Sequence, residues 1–166
     1  MKATLGIAAA LLASGPAMAD LTVEFREGAP KDRFIIASTD CAIGPGTLTL
    51  DLTTSKGGLI FDTTAEGAGV EVFQPVELEQ GAASFSETRD GDRVLQVSLD
   101  ALRPGSPVTL TVDLDDTMVD SALGQIRVAG SEIVGATATL SAGSVKASNS
   151  FDETGQTRLL TGSCSS

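Results

Sequence analysis

The sequence predicts an all-β protein, a single antiparallel β-sandwich of the immunoglobulin-like type. A jelly roll is the alternative, because both folds give nearly the same strand pattern. Three observations support this prediction. Short stretches of alternating apolar and polar residues recur roughly every 8–12 residues. Turns rich in glycine and proline separate them, and the chain contains 18 glycines and 6 prolines. No stretch sustains the apolar periodicity of a helix.

The N-terminal segment, residues 1–19, is expected to be a cleaved export signal and not part of the domain. Lys2 provides a positive charge, and Leu5–Ala13 is an apolar stretch too short to span a bilayer. The tripeptide AMA, which ends at residue 19, has the small residues that a signal peptidase recognises. Residues 20–166 would then form one domain in the periplasm or outside the cell. No membrane insertion is expected, because no later apolar run is long enough.

The strands of this domain are assigned in order from their alternation and from the turns between them. The clearest is 47–54, in which three leucines share one face. Asp90-Gly91 is the dipeptide that a tight type I′ hairpin prefers, so the strands on either side of it are expected to pair. The last three strands are expected to form a meander. The predicted strands are residues 21–25, 33–38, 47–54, 59–62, 83–89, 93–99, 106–114, 132–140, 144–151 and 156–162.

The two cysteines of the chain, Cys41 and Cys164, are expected to form a structural disulfide. An even number of cysteines in an exported protein is typical of such a bond. Neither cysteine has a neighbouring histidine or a CxxC spacing that would favour metal binding or a reactive thiol. In the chain-entropy description, a bond that closes a loop of this length stabilises the fold by about 4–5 kcal/mol.

The composition argues against several classes of function. The chain contains no histidine, tyrosine or tryptophan, which excludes Ser-His-Asp and Cys-His catalytic sites and disfavours aromatic platforms for sugars. Its net charge of −11 disfavours nucleic acid as a partner. A hydrolase based on two carboxylates stays a weak alternative, with Asp62 in LIFDTT as its candidate, although Asp62 is expected at the surface. The protein is therefore expected not to be an enzyme.

The strand predicted at 106–114 runs into an acidic segment, which is the candidate calcium site. Alternation along this strand places its apolar residues in the core and its threonines and first two aspartates on the solvent face. Calcium prefers six to eight oxygen ligands, and strand-end loops supply them. The spacing matches neither the EF-hand nor the RTX pattern. The alternative is that these aspartates are solvated, form an Asx-turn or cap a short helical turn within 117–125. The predicted ligands are Asp113, Asp115, Asp116 and Asp120.

Three stretches of the chain resemble small exported proteins of alphaproteobacteria described as "aggregation factor core". They are EGAPKDRF (27–34), GGLIFDTTAEGAGVEVFQPVE (57–77) and PGSPVTLTVDLDDT (104–117). The resemblance covers most of the chain after the signal and includes the cysteine near the C-terminus. Because its motifs are packing and turn motifs, it implies a fold more than an activity. What it implies is an exported, non-enzymatic sandwich involved in adhesion.

The function expected from the sequence is a binding or adhesion module, with calcium as its one candidate cofactor. Its partner would be a protein, a cell surface or a second copy of the chain. The alternative is a structural or assembly component of the cell envelope that pairs through an edge strand, and oligomers insensitive to EDTA would favour it.

Overall fold

The computed structural model describes residues 18–69, 73–118 and 127–164, and these ranges contain strands and no helix. The predicted β-sandwich is confirmed: two five-stranded antiparallel sheets are accompanied by a two-stranded ladder. No helix in the described ranges has the length and apolar character needed to cross a bilayer. The strands are β1 (Met18–Arg26), β2 (Asp32–Ser38), β3 (Gly46–Asp51), β4 (Ile60–Phe61), β5 (Glu77–Gln80), β6 (Ala83–Phe85), β7 (Val94–Leu99), β8 (Val108–Val112), β9 (Leu114–Asp115), β10 (Thr137–Ala142), β11 (Val145–Ser150) and β12 (Gln156–Ser163).

The first sheet has the strand order β12-β1-β2-β8-β5 and the second has the order β11-β10-β3-β7-β6, while β4 pairs with β9. The short turn between β5 and β6 joins the two sheets on one side. Gly81 in this turn has a φ of +91°, and a Cβ there would lie 2.8 Å from the carbonyl oxygen of Pro107. On the opposite side β11 lies beside β12, where the side-chain Nδ2 of Asn149 donates to the backbone carbonyl of Arg158 at 3.1 Å. The sandwich is thus held together along both sides.

The core forms between the inward faces of the two sheets, because alternate residues of each strand point the same way. The three leucines predicted to share one face are fully buried there: Leu48 and Leu50 in β3, and Leu52 directly after it. Phe34 packs between Phe25 and Phe151, with ring centroids 5.5 and 6.2 Å away. Each such buried apolar side chain contributes about 1.5–3 kcal/mol relative to an exposed one.

The predicted disulfide between Cys41 and Cys164 is present. It joins the β2–β3 connection to the end of β12, across a sequence separation of 123 residues. Close to it, β1 begins at Met18, two residues before the predicted mature N-terminus at Asp20. The export signal itself stays a prediction.

The turn at Asp90-Gly91 differs from the predicted type I′ hairpin. Gly91 has a φ of +80°, but no non-glycine residue in the described ranges has a positive φ, and a type I′ turn requires one at Asp90. The amide of Asp92 donates to the carbonyl of Arg89 at 3.0 Å, which closes a turn inside the longer β6–β7 connection. The side chain of Asp90 is bound to another loop, through the amides of Thr63 and Ala68.

The predicted C-terminal meander is also wrong, because its third strand belongs to the other sheet. β10 and β11 pair as expected, whereas β12 pairs with β1. The carboxylate of Asp152 accepts hydrogen bonds from the amides of Thr154 and Gln156, and this turn directs the chain across to the first sheet. A sequence pattern of strand, turn and strand does not distinguish pairing within a sheet from a change of sheet.

Candidate cation site

The site is built on the short ladder of β4 and β9, which follow the core strands of the sandwich. Phe61 pairs with Leu114, and both are fully buried in the core. One residue further, the amide of Asp62 donates to the carbonyl of Asp113 at 3.0 Å, so these two aspartates are cross-strand neighbours. Because side chains alternate along a strand, Asp62, Asp113 and Asp115 share the face that points away from the core.

This acidic face is not open to solvent, and the predicted exposure of Asp113 and Asp115 is wrong. Their exposed fractions are 6% and 1%, and the two threonines of β8 are buried as well. Thr111 lies between Arg33 and Glu77 on the neighbouring strands, and these long side chains flank the short threonine. Asp115 is covered differently, by the loop that follows β4.

The loop of residues 63–69 folds back over the acidic face. A Cβ on Gly69 would overlap the carboxylate of Asp62 and would lie 2.5 Å from Oδ2 of Asp115. The backbone at Gly69 therefore lies directly against both carboxylates, an approach that any larger residue would prevent. Asp62, expected at the surface, is instead fully buried, because this loop covers the end of its strand.

The carboxylate of Asp90 holds this loop from the β6–β7 connection. Its Oδ1 accepts a hydrogen bond from the amide of Thr63 at 3.0 Å, and its Oδ2 accepts one from the amide of Ala68. Although partial burial acts to raise the pKa of Asp90, these backbone hydrogen bonds and one from Asp62 hold it below its ordinary value. Asp90 is therefore a carboxylate at neutral pH, next to the other acids of the site.

Asp62 and Asp113 are buried acids that lack compensating partners. Burial raises the pKa of Asp62 to about 7, together with a hydrogen bond to Asp90 and the charges of Asp115, Asp90 and Asp113. Burial, followed by the charge of Asp115, raises the pKa of Asp113 to about 7. In the described part of the chain, no donor reaches either oxygen of ionised Asp62 or Oδ2 of Asp113. Asp62 forms its hydrogen bond to Asp90 as a protonated acid, because two carboxylates offer no donor.

Asp32 on β2 is a further buried acid next to this face. Its carboxylate accepts hydrogen bonds from the amides of Gly28 at 3.0 Å and Leu114 at 3.3 Å. Burial nevertheless raises its pKa to about 7, with the charge of Asp113 as a smaller contribution. The two backbone bonds give Asp32 a structural role in joining β2 to the start of β9.

The structure divides the four aspartates predicted as calcium ligands. Asp113 and Asp115 lie together, whereas Asp116 lies beside Gly57. A Cβ added to Gly57 would contact the side chains of Asp116 and Glu132. Oδ1 of Asp116 accepts from the amide of Met118 at 3.1 Å, which is the turn-forming role considered as the alternative. Asp120 and most of the predicted helical turn at 117–125 lie outside the described residues.

Two acids of the site, Asp62 and Asp90, were not predicted as ligands or neighbours of ligands. Their part in it depends on the pairing of β4 with β9 and on the position of the β6–β7 connection. The one sequence signal for a covered strand end is the pair of glycines in AEGAG (65–69), which allows a close approach of the backbone.

Among the described residues, no group of three or more histidine, cysteine, aspartate or glutamate side chains is spaced to hold a metal ion. The nearest arrangement is the pair of Asp62 and Asp115. Oδ2 of each lies within 2.5 Å of the position that a Cβ on Gly69 would occupy, so the two carboxylates lie close together against the backbone of the loop. Asp113 is the adjacent third carboxylate. Holding a cation would therefore require these side chains and the loop above them to rearrange.

Comparison with known proteins finds no match: no protein-family model fits the chain, and neither a curated protein nor a solved structure is similar to it. Function is therefore inferred from the geometry of the site.

Proposed function

We propose that the protein is an exported, non-enzymatic β-sandwich module that binds a divalent cation, calcium in particular, through Asp62, Asp113 and Asp115. The observation that carries this proposal is Asp62, a fully buried acid whose ionised carboxylate meets no hydrogen-bond donor in the described chain. Two further carboxylates lie on the same face.

A buried carboxylate is costly unless it is protonated, paired or bound to a metal. No salt bridge of the described residues reaches Asp62 or Asp113; the arginines and lysines that form such bridges pair with other acids. Below pH 7 a proton on Asp62 relieves the repulsion. Above pH 7 a cation is the remaining way to neutralise the group.

Calcium fits this environment better than magnesium. Calcium accepts irregular sets of carboxylate and carbonyl oxygens, whereas magnesium requires near-octahedral geometry and keeps several of its waters. The backbone at Gly69 leaves little room for bound water above Asp62 and Asp115. Carbonyl oxygens of the loop would complete the coordination of a calcium ion.

The burial of these carboxylates supports a structural cation and argues against the hydrolase alternative, because a substrate would have no access to them. The module would then bind its partner, a protein, a cell surface or a second copy, through another surface. A role in adhesion agrees with the resemblance to "aggregation factor core" proteins. The disulfide supports export, because such bonds persist in oxidising compartments.

The alternative of assembly through an edge strand has less support. β5 is an edge of the first sheet and all four of its residues are exposed. Its Glu77 and Glu79 carry charges that are paired with Lys31 and Arg33. A short edge strand with charged side chains is typical of sheets that avoid pairing with other chains.

The test is the melting temperature of the purified protein in EDTA, in magnesium and in a calcium series, with calorimetric titration of calcium. Calcium at 100 times its dissociation constant should add about 2.7 kcal/mol, which raises the melting temperature by several degrees. Asp113→Asn should abolish this gain, whereas Asp100→Asn, at an exposed aspartate, should keep it. A response that is absent, or equal in magnesium, would overturn the proposal.

A further inference from the structure

We infer that Asp90 is the positioning residue of this cation site, and that it couples cation binding to the closure of the 63–69 loop. This inference rests on the proposed function, because it concerns the same site. Asp90 would act through the loop, because its two oxygens accept hydrogen bonds from backbone amides near both ends of the loop.

Two of the amides that Asp90 binds, those of Thr63 and Ala68, lie near the two ends of the loop. Thr63 directly follows Asp62, and Ala68 directly precedes Gly69. One carboxylate thus sets both the point where the chain leaves the ladder and the point where it returns over the acids. Gly67 permits this arrangement, because a Cβ there would overlap Oδ2 of Asp90.

Asp90 is itself fixed to the strand that precedes Asp62. The amide of Gly91 donates to the carbonyl of Phe61 at 2.9 Å, and the amide of Phe61 donates to the carbonyl of Asp92 at 2.9 Å. The turn that carries Asp90 therefore pairs with the free edge of β4. As a result, β4 positions both Asp62 and, through Asp90, the loop that lies over the carboxylates.

The loop has few other attachments between its ends. Residues 64–68 are exposed, and the hydrogen bond from the Thr64 hydroxyl to the Glu66 carbonyl is internal to the loop. Without Asp90, the loop segment up to Ala68 would lose both of the anchors described above. A cation bound to Asp62 and Asp115 would meet the backbone at Gly69, so the position of the loop decides whether the cation is enclosed.

The experiment compares the full-length protein with its Asp90→Ala and Asp90→Asn variants, and with Glu87→Gln as a control that removes an exposed charge from the same connection. Calcium affinity is measured by calorimetry, and hydrogen exchange of residues 63–69 is measured with and without calcium. Loss of a group that supports metal ligands weakens affinity about 10–100-fold, and we expect this for Asp90→Ala, with faster exchange in the loop.

Asp90→Asn keeps one acceptor oxygen and should show a smaller loss of affinity and slower loop exchange than Asp90→Ala. A purely electrostatic role predicts equal losses in both variants and unchanged exchange, which would overturn the inference. So would wild-type affinity in Asp90→Ala. If the wild-type protein binds no calcium, the proposed function fails and the inference fails with it. Melting temperatures in EDTA establish that each variant is folded.

Discussion

Replacing Asp62 by asparagine should have opposite effects on stability with and without calcium. The substitution keeps the shape of the side chain and removes its charge. In EDTA at about pH 8 the variant should be more stable than the wild type, because it no longer buries an ionised carboxylate beside Asp113 and Asp115. In calcium the order should reverse, because the variant lacks a central ligand.

The magnitude follows from the pKa of Asp62, which is about 7 in the folded protein against an ordinary value of 3.8. Each pH unit between these values corresponds to about 1.4 kcal/mol, so ionised Asp62 lowers the free energy of unfolding by at most about 4 kcal/mol. The asparagine must still satisfy a buried amide, at a cost of about 1–3 kcal/mol. The expected net gain in EDTA is about 2 kcal/mol, a rise of several degrees in melting temperature.

The assay is thermal unfolding of both proteins at about pH 8 and pH 5, in EDTA and in saturating calcium. At pH 5 the wild-type Asp62 carries a proton, so the advantage of the variant should become small, which serves as an internal control. An Asp62→Asn protein less stable than wild type in EDTA at pH 8 would show that Asp62 is not an uncompensated charge. An undiminished calcium response would remove Asp62 from the proposed site.

The disulfide, the raised pKa values and Gly69 each lead to a further prediction. The double variant Cys41→Ser, Cys164→Ser should lower the free energy of unfolding by about 5 kcal/mol in the chain-entropy description, given the separation of 123 residues. A loss of less than about 1 kcal/mol in denaturant titration would contradict this prediction. In EDTA the wild type should lose stability as pH rises from about 4 to about 7 and then level off, because three buried carboxyls have pKa values near 7 when folded and ionise earlier when unfolded. Denaturant midpoints of unfolding that rise with pH across this range would refute the raised pKa values. Gly69→Ala should lower the free energy of unfolding in EDTA by about 1–3 kcal/mol and weaken calcium binding, because its methyl group overlaps the carboxylate of Asp62. As the control, Gly44→Ala places its Cβ in open space, so it should leave both the calcium affinity measured by calorimetry and the melting temperature unchanged.

Local patterns in the sequence predicted much of the sandwich. Alternation located the buried face of β3 and the pairing of β10 with β11, since a strand of period two shows its buried face directly in the sequence. It did not locate β5, whose four exposed residues lack an apolar face. It located β8 but not the burial of its threonines, because β8 is buried on both faces by its neighbours in the sheet.

The candidate site shows the same division. Its acidity could be predicted, and Asp113 and Asp115 were named because they follow a strand and share a face. Asp62 could not be placed with them, since 50 residues of chain separate it from the others and only the β4–β9 pairing brings them together.

The sequence by itself determined the strand class, the disulfide partners and the acidic character of this protein, because these depend on residue type and on short-range periodicity. Only the tertiary structure decided which strands share a sheet, that the loop after β4 lies against the carboxylates of Asp62 and Asp115, and that Asp90 holds this loop in place. The physical reason is that strand pairing and burial arise from contacts between distant parts of the chain. The local pattern around each residue carries no record of those contacts.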